Sequence, residues 1–234
     1  MPKSFQDIMN ARRSVRAFTK APVERSQMEA ICQAARKAPS GANLQPGKFH
    51  VLTGDALAGL CASLQAAIAE NRPFDSEYSY FPDPIPAELK ARQRSAGFAL
   101  YEALGIEKRD VAGRRAQFAK NYDFFDAPVG VVVTIQKDMG KGCFMDMGMA
   151  IMSFLLAAED EGLGATGIGA LANYASVAHA HLGLAEDEMV VCGIAVGHPD
   201  LDAPVNNFRT ERAALEEFTS FRGFPDETSE DPTE

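Results

Sequence analysis

The feature that most constrains the fold is a helical stretch that is apolar on nearly every side. Between Met145 and Glu161 the sequence predicts a helix whose large apolar side chains are Met147, Met149, Ile151, Met152, Phe154, Leu155 and Leu156. A helix without a polar face must be covered all round, either at the centre of a large domain or by a partner subunit. In a chain of 234 residues, we favour a partner subunit, so this stretch predicts a subunit interface.

Three other segments predict strands. Lys48–Thr53 alternates in polarity, Val129–Gln136 is a β-branched run, and Met189–Val196 is largely apolar. Residues 162–170, which directly follow the apolar helix, are instead dense in glycine. They lack the Lys-Ser/Thr of a phosphate loop and the preceding strand of a dinucleotide fingerprint. Such a backbone lets a flat ligand approach closely and offers it N–H groups.

Arginines cluster near the N terminus of a chain whose net charge is −9. The run Arg12-Arg13-Ser14-Val15-Arg16 follows a short amphipathic helix, in which Ser4 and Asp7 form a potential capping box. In an extended backbone, the first, third and fifth residues of this run share one face, and Val15 points to the other. Two guanidinium groups and a hydroxyl on one face suit a phosphate. The alternative is a solvated basic turn after a helix.

Two further segments are typical of loops near a binding site. Residues 39–47 place small and amide-bearing residues between two prolines, and residues 71–86 combine four prolines with several aromatic residues. The second segment predicts an ordered excursion over a site. Because it and the helical patterns after it lie between core elements, we interpret residues 71–122 as an insertion or lid within one domain, 1–224. Residues 225–234 are acidic and predict a disordered tail.

Composition and spacing argue against several classes of protein. Acidic residues outnumber basic ones by 32 to 23, which disfavours nucleic-acid and anionic-membrane binding. No signal segment and no sufficiently long apolar span is evident, so we expect a soluble, cytoplasmic protein. The four cysteines are far apart, and His179 and His181 splay around a helix, so we predict neither disulfide nor metal. No Ser-His-Asp or paired-carboxylate set indicates a catalytic side chain.

Six motifs, taken together and in order, resemble the flavin-dependent nitroreductase family from Phe5 to about Phe224. They are R-R-S-V-R-A-F, A-P-S-G-A-N-L-Q-P, D-M-G-M-A-I, E-G-L-G-A-T-G-I-G, G-I-A-V-G-H-P-D and N-F-R-T-E-R. The insertion is similar to that of the branch with nitrobenzoate and dinitroaniline reductases. The resemblance implies an α+β, nitroreductase-like fold with a central mixed β-sheet flanked by helices. It also implies a domain-entwined homodimer with one FMN at each end of the interface.

The resemblance also implies which residues hold the cofactor. Arg12 and Ser14 match positions near the FMN phosphate and ribityl chain, with Arg13 between them, and Arg16 matches a basic residue near N1/O2 of the ring. The other matching positions are Ser40, Asn43 and Gln45 in a loop from the other subunit, Asn121 at the ring edge, Gly167, Ile168 and Gly169 near N5, and Arg209 and Arg212 in the tail. Thr210 replaces a lysine of some members, so the tail arginine that contacts phosphate is left open. Gly47 replaces a frequent tryptophan, which either widens the site or alters packing.

The implied activity is that of an FMN-dependent NAD(P)H oxidoreductase, in which flavin N5 carries the hydride and no side chain is catalytic. It would reduce nitroaromatic or quinone-like acceptors by two-electron ping-pong transfer, with NADH or NADPH as donor. The predicted walls of a pocket for small aromatic acceptors are Tyr78, Tyr80, Phe81 and Phe124, because planar acceptors stack on aromatics; ordinary packing is the alternative for each. The competing functions are a same-fold dehalogenase, enoyl-type reductase or flavin reductase, and a non-catalytic flavin-binding dimer.

Overall fold

A four-stranded antiparallel sheet lies at the centre of the computed structural model, which describes residues 3–224. The strands are β1 (Lys48–Thr53), β2 (Val129–Gln136), β3 (Gly164–Ile168) and β4 (Glu188–Gly197), in the order β1-β2-β4-β3. The α+β class is confirmed. Within residues 3–224 the parallel component predicted for the sheet is limited to an isolated bridge between Ser14 and Ala165. The predicted tail, 225–234, lies outside the described residues.

Helices cover both faces of this sheet. The α-helices of residues 3–224 are α1 (Phe5–Ala11), α2 (Arg25–Arg36), α3 (Gly54–Ala69), α4 (Ala87–Ala103), α5 (Val111–Ala119), α6 (Lys141–Asp160), α7 (Ala175–Leu182) and α8 (Leu215–Phe218). On one face, α3 and α7 pack against β2 and β4 around Leu64 and Leu171. On the other, α2 and α6 pack around Ile31 and Phe154. Because both faces are covered, the two central strands are buried almost throughout.

The apolar helix α6 has one covered side and one uncovered side in the single chain. By length and composition it could cross a membrane, but Met147, Phe154 and Ala158 are buried against α2 and the sheet. On its other side, Met145 is 70% exposed and Met149 is 40% exposed. The helix is therefore a core element of this domain that still presents an apolar surface.

The excursion between α3 and α4 is fastened to the edge of β4. β3 pairs with β4 only from Gly193 onward, which leaves the preceding part of β4 without a strand on that side. There the Val190 N–H donates to Glu77 Oε2 over 2.9 Å, and the Tyr78 hydroxyl donates to the Val191 carbonyl over 2.7 Å. These side chains take the place of a strand partner, so the excursion is an ordered element next to the end of β3.

Candidate cofactor site

The fold brings arginines from the two ends of the chain to one cleft of about 810 Å³. We call it the arginine cleft and define it by Arg12, Arg13, Arg16, Arg209 and Arg212, all of which line it. Ser14 also lines the cleft, as do the small residues Ala96 and Gly97 of α4. The tail arginines lie nearly 200 positions away in sequence from Arg12, so tertiary structure alone creates this group.

Two backbone contacts fix the segment that carries the first three arginines. α1 ends at Ala11 after a capping box between Ser4 and Asp7, as predicted. Beyond it, the Val15 N–H donates to the Ala165 carbonyl of β3 over 3.2 Å, and the Val15 side chain is buried against Gly164. Ser14 is exposed and Val15 is buried, as alternation predicts, but Arg13, which an alternating backbone would place with Val15, lines the cleft with Arg12 and Arg16. The backbone therefore directs the polar side chains into the cleft.

The cleft is electrostatically incomplete. Burial lowers the pKa of Arg16, and burial with the nearby charges of Arg212 and Arg209 lowers the pKa of Arg12, whereas Glu159 raises it. Among residues 3–224, no carboxylate forms an ion pair with these four arginines. Guanidinium groups stay charged at neutral pH despite such shifts. A cluster of cations, of which Arg12 and Arg16 are partly desolvated and none forms an ion pair within residues 3–224, favours a bound anion such as a phosphate.

The two tail arginines have different surroundings. Arg209 donates to the carbonyls of Ala11 and Arg12 over 3.2 and 3.4 Å, at the C-terminal end of α1. That is where a positive side chain stabilises the free carbonyls of a helix. Within residues 3–224, Arg212 instead donates hydrogen bonds only to Thr210 and to the Glu211 carbonyl. Arg209 thus anchors the tail, and the exposed Arg212 guanidinium can turn towards an anion.

The glycine-rich segment forms a strand, β3, followed by a turn, and runs beside the arginine segment. Ser14 bridges to Ala165, which places Gly167 and Ile168 further along the same strand and Gly169 in the turn that follows it. Ile168 is buried, whereas the glycines on both sides of it leave the backbone uncovered by side chains of their own. The ring of Tyr80 lies over Gly169, within 3.1 Å of where a Cβ would project. The segment therefore combines an open backbone with an aromatic neighbour.

The 39–47 loop lies away from the arginine cleft in this chain. Ser40 and Gln45 line a separate small pocket between α2 and α6, where Ser40 Oγ accepts the Gln45 N–H over 2.9 Å. Gln45 Nε2 donates to the Asn43 carbonyl over 3.2 Å. A single chain does not join these three residues to the arginines, and their role at the site of a second subunit stays a prediction.

Two side chains that the sequence did not single out hold this loop. The Arg36 guanidinium donates to the carbonyls of Gln45 and Gly47 over 2.6 and 2.9 Å. Asp146 Oδ2 accepts the Gly41 N–H over 3.1 Å. Gly47 itself has φ +82°, and Met147 occupies the space into which a side chain there would project. The absence of the family's tryptophan at position 47 is thus matched by packing from α6.

One predicted pocket wall is corrected. Phe124 is completely buried, with its ring against Gly130 and Gly193 of the central strands, so it belongs to the core and cannot line an acceptor pocket. Tyr80 and Phe81 are exposed and in edge contact, with ring centroids 4.8 Å apart. Tyr78 is half-buried because its hydroxyl binds β4. Asn121 donates to the Phe118 carbonyl at the end of α5 over 2.7 Å, and its ring-edge role stays a prediction.

Asn206 is the most informative residue that sequence reasoning missed. It is 1% exposed, and its side chain joins the tail to Arg16 and Ala17. No local pattern identifies it, since its hydrogen bonds to Arg16 and Ala17 span about 190 positions, and only the one to Asp200 is nearby in sequence. Arg36 carries a weak signal, because it stands in the last turn of a helix directly before the loop that it binds.

Comparisons with known proteins agree with this geometry. The profile of the nitroreductase family matches residues 9–198. A 4-nitrobenzoate reductase of Pseudomonas putida is 36% identical over 94% of this chain and 96% of its own. The crystal structure of an FMN- and NADPH-dependent nitroreductase, NfnB from Sphigopyxis sp. strain HMH, superposes with a TM-score of 0.93 at 38% identity, over 95% of this chain and all of that one. NfnB of Mycobacterium smegmatis, solved in complex with NADPH, gives 0.88 at 30% identity, over 93% and 97%.

Proposed function

The chain belongs to the nitroreductase family, and on that premise we propose that it is an FMN-dependent oxidoreductase that reduces nitroaromatic compounds with NAD(P)H. The single observation that carries the proposal is the arginine cleft, in which Arg12 and Arg16 are partly desolvated and no arginine forms an ion pair within residues 3–224. FMN ends in a phosphate with close to two negative charges. The relatives named for nitroaromatic reduction cover nearly the whole chain.

The residues of the cleft fit FMN in kind and in order. Arg12 and Arg212 supply guanidinium groups for the phosphate, and Ser14 adds a hydroxyl. Arg16, the most desolvated member, provides positive charge for the N1/O2 side of the ring, where it favours the reduced anion. Gly167 and Gly169 present open backbone at the other end of the segment. When bound, FMN supplies the two-electron hydride chemistry, while these residues bind and orient it.

The acceptor pocket is proposed beside Gly169. Tyr80 and Phe81 are the exposed aromatic side chains of the excursion, and Tyr78 fastens them to β4. A planar nitroaromatic can stack against such rings. Since donor and acceptor both need the uncovered side of the glycine segment, we propose that they enter in turn, which gives ping-pong kinetics.

A homodimer is part of this proposal. Apolar side chains are exposed on α1, α6 and the tail, namely Phe5, Met145, Met149, Phe218, Phe221 and Phe224. A surface of this kind is typical of a subunit interface, and the 39–47 loop lies away from the arginines of its own chain. In a dimer, the second subunit covers the exposed apolar side chains and brings its 39–47 loop to the arginine cleft. A cytoplasmic location belongs to the same proposal, because NAD(P)H is available there.

We expect the wild-type protein to sediment as a dimer of its 25.2 kDa chain. Met145→Glu places a charge on the uncovered side of α6, where its desolvation opposes association, so this variant should sediment as a monomer and lose FMN. Val111→Glu changes an equally apolar but separate exposed position on α5 and should remain dimeric. Sedimentation velocity measures both. A monomeric wild type would contradict the homodimer.

The function itself is tested by an absorbance spectrum of the purified protein, followed by anaerobic NADPH and then a nitroaromatic. We expect oxidised-flavin bands at about 370 and 450 nm that NADPH bleaches and the nitro compound restores. A yellow protein that no reduced nicotinamide bleaches would support a non-catalytic flavin carrier. Bleaching that only a quinone or another acceptor reverses would assign a different substrate. A colourless protein that does not bind added FMN would contradict the proposal that FMN is the cofactor.

A further inference from the structure

Asn206 joins three segments of the chain at the base of the arginine cleft. Its Oδ1 accepts the Arg16 N–H over 2.8 Å. Its Nδ2 donates to the carbonyls of Ala17 and Asp200, both over 2.8 Å. Asn206 is 1% exposed, and its three hydrogen bonds are partly buried. Its amide side chain therefore satisfies the Arg16 N–H and adds a second hydrogen bond to the Ala17 carbonyl, which also accepts the Asp200 N–H over 3.1 Å.

The Arg16 N–H itself depends on this residue, whereas the next residues of the segment, Ala17 and Thr19, also form backbone hydrogen bonds with 198–200. On the β3 side the segment is held through the Val15 N–H and the Ala165 carbonyl. On the other side the next amide, that of Arg16, binds the side chain of Asn206 rather than a strand. The Arg16 side chain leaves the backbone at the point that Asn206 fixes, so a shift of that amide moves the guanidinium within the cleft.

Asn206 also sets where the tail begins. It ends a single helical turn, Pro204–Asn206, and the chain then runs directly to Arg209 and Arg212. One buried side chain thus couples the guanidinium assigned to the flavin ring with those on the phosphate side. Within the part of the chain that the structure describes, no other hydrogen bond from the tail reaches the Arg16 backbone.

We propose that Asn206 is a positioning residue that holds Arg16 at the N1/O2 side of the flavin and thereby raises the reduction potential of the bound cofactor. This proposal rests on the proposed function, because it requires FMN in the arginine cleft. It assigns the adjustment of the potential to a side chain that itself contacts no cofactor.

The test measures two quantities, the Kd for FMN and the midpoint potential of the bound flavin. Asn206→Ala removes all three hydrogen bonds, and we expect about a tenfold higher Kd for FMN together with a more negative midpoint, the change that we also expect of Arg16→Ala because it removes the positive charge at N1/O2. Arg212→Ala should raise the Kd for FMN but leave the midpoint potential unchanged, because that arginine is assigned to the phosphate side. Leu64→Ala, in the buried core of α3, provides a control that lowers thermal stability without touching the cleft.

A second variant keeps the test decisive if Asn206→Ala does not fold. Asn206→Asp has nearly the same shape and keeps an acceptor for the Arg16 N–H, but it turns a carboxylate oxygen towards the carbonyls of Ala17 and Asp200. We expect changes of the same sign in both quantities. Wild-type values of both in these variants would overturn the proposal. A higher Kd with an unchanged midpoint potential would also overturn it, because loosening of the tail alone would explain that result. Failure of the proposed function shows instead in the wild type, as absence of FMN binding or of reduction by NADPH.

Discussion

Arg12→Ala combined with Arg212→Ala is expected to weaken FMN binding by about 3 to 6 kcal/mol, taking about 1.5 to 3 for each charge-assisted hydrogen bond. This corresponds to a Kd roughly 10² to 10⁴ times higher. The reason is that both guanidinium groups line the cleft, where Arg12 is partly desolvated and Arg212 has only local partners. Flavin fluorescence during titration of the apoprotein measures the change.

The control for this variant removes the same charge elsewhere. Arg25 and Arg72 form only surface ion pairs with Glu29 and Glu70, and such pairs contribute little. Arg25→Ala with Arg72→Ala should therefore leave FMN affinity within about twofold of the wild type. Equal weakening in both double variants would mean that overall charge matters rather than the cleft. Full retention of FMN in the first would place the phosphate elsewhere.

Phe124→Ala is expected to lower the free energy of unfolding by about 3 to 5 kcal/mol, the usual cost of removing a buried phenyl group. Phe124 is fully buried against Gly130 and Gly193. It also begins three consecutive residues with positive φ, Phe124, Phe125 and Asp126, at 49°, 55° and 59°. Such conformations are unfavourable for residues other than glycine, so packing of the two rings must hold the turn. Chemical denaturation monitored by circular dichroism measures the loss.

Tyr80→Ala is the matched change of an exposed aromatic residue. Tyr80 is 63% exposed, so its removal should change stability by less than about 1 kcal/mol. If its ring stacks on the acceptor, the KM for a nitroaromatic should rise in this variant. A folded Phe124→Leu variant should keep the wild-type KM, because the smaller side chain stays within the core. The reverse pattern, with stability changed by the Tyr80 variant and KM changed by the Phe124 variant, would contradict the assignment of Phe124 to the core.

Sequence patterns predicted elements best where one local interaction determines the structure. The strands at Lys48–Thr53 and Val129–Gln136 were predicted with their observed bounds, and the third differed by one residue at each end. The capping box of α1 was also local. β3 was not predicted, because the glycines of Gly164–Ile168 have low strand propensity. It forms a strand because pairing with β4 and packing of Val15 against Gly164 outweigh that propensity.

Sequence patterns could not distinguish buried aromatic residues from exposed ones. The sequence grouped Phe124 with Tyr78, Tyr80 and Phe81, since all four are aromatic and flank or belong to the insertion. Burial decides between a pocket wall and a core residue, and burial depends on which surfaces meet across the sheet. Tyr80 lies over Gly169, whereas Phe124 lies under β2 and β4. No spacing within 71–126 distinguishes these two outcomes.

The sequence by itself determined that an acidic chain gathers arginines where an extended backbone alternates, so that Arg12, Ser14 and Arg16 share a face and Val15 is buried. This follows from the two-residue period of extended chain, which is a local property. Only the tertiary structure decided that Arg209 caps α1, that Arg212 has only local partners, and that Asn206 holds the Arg16 amide. The contacts of Arg209 and Asn206 join residues 198 and 190 positions apart, and they form because β3 and the tail approach the same short segment from opposite sides.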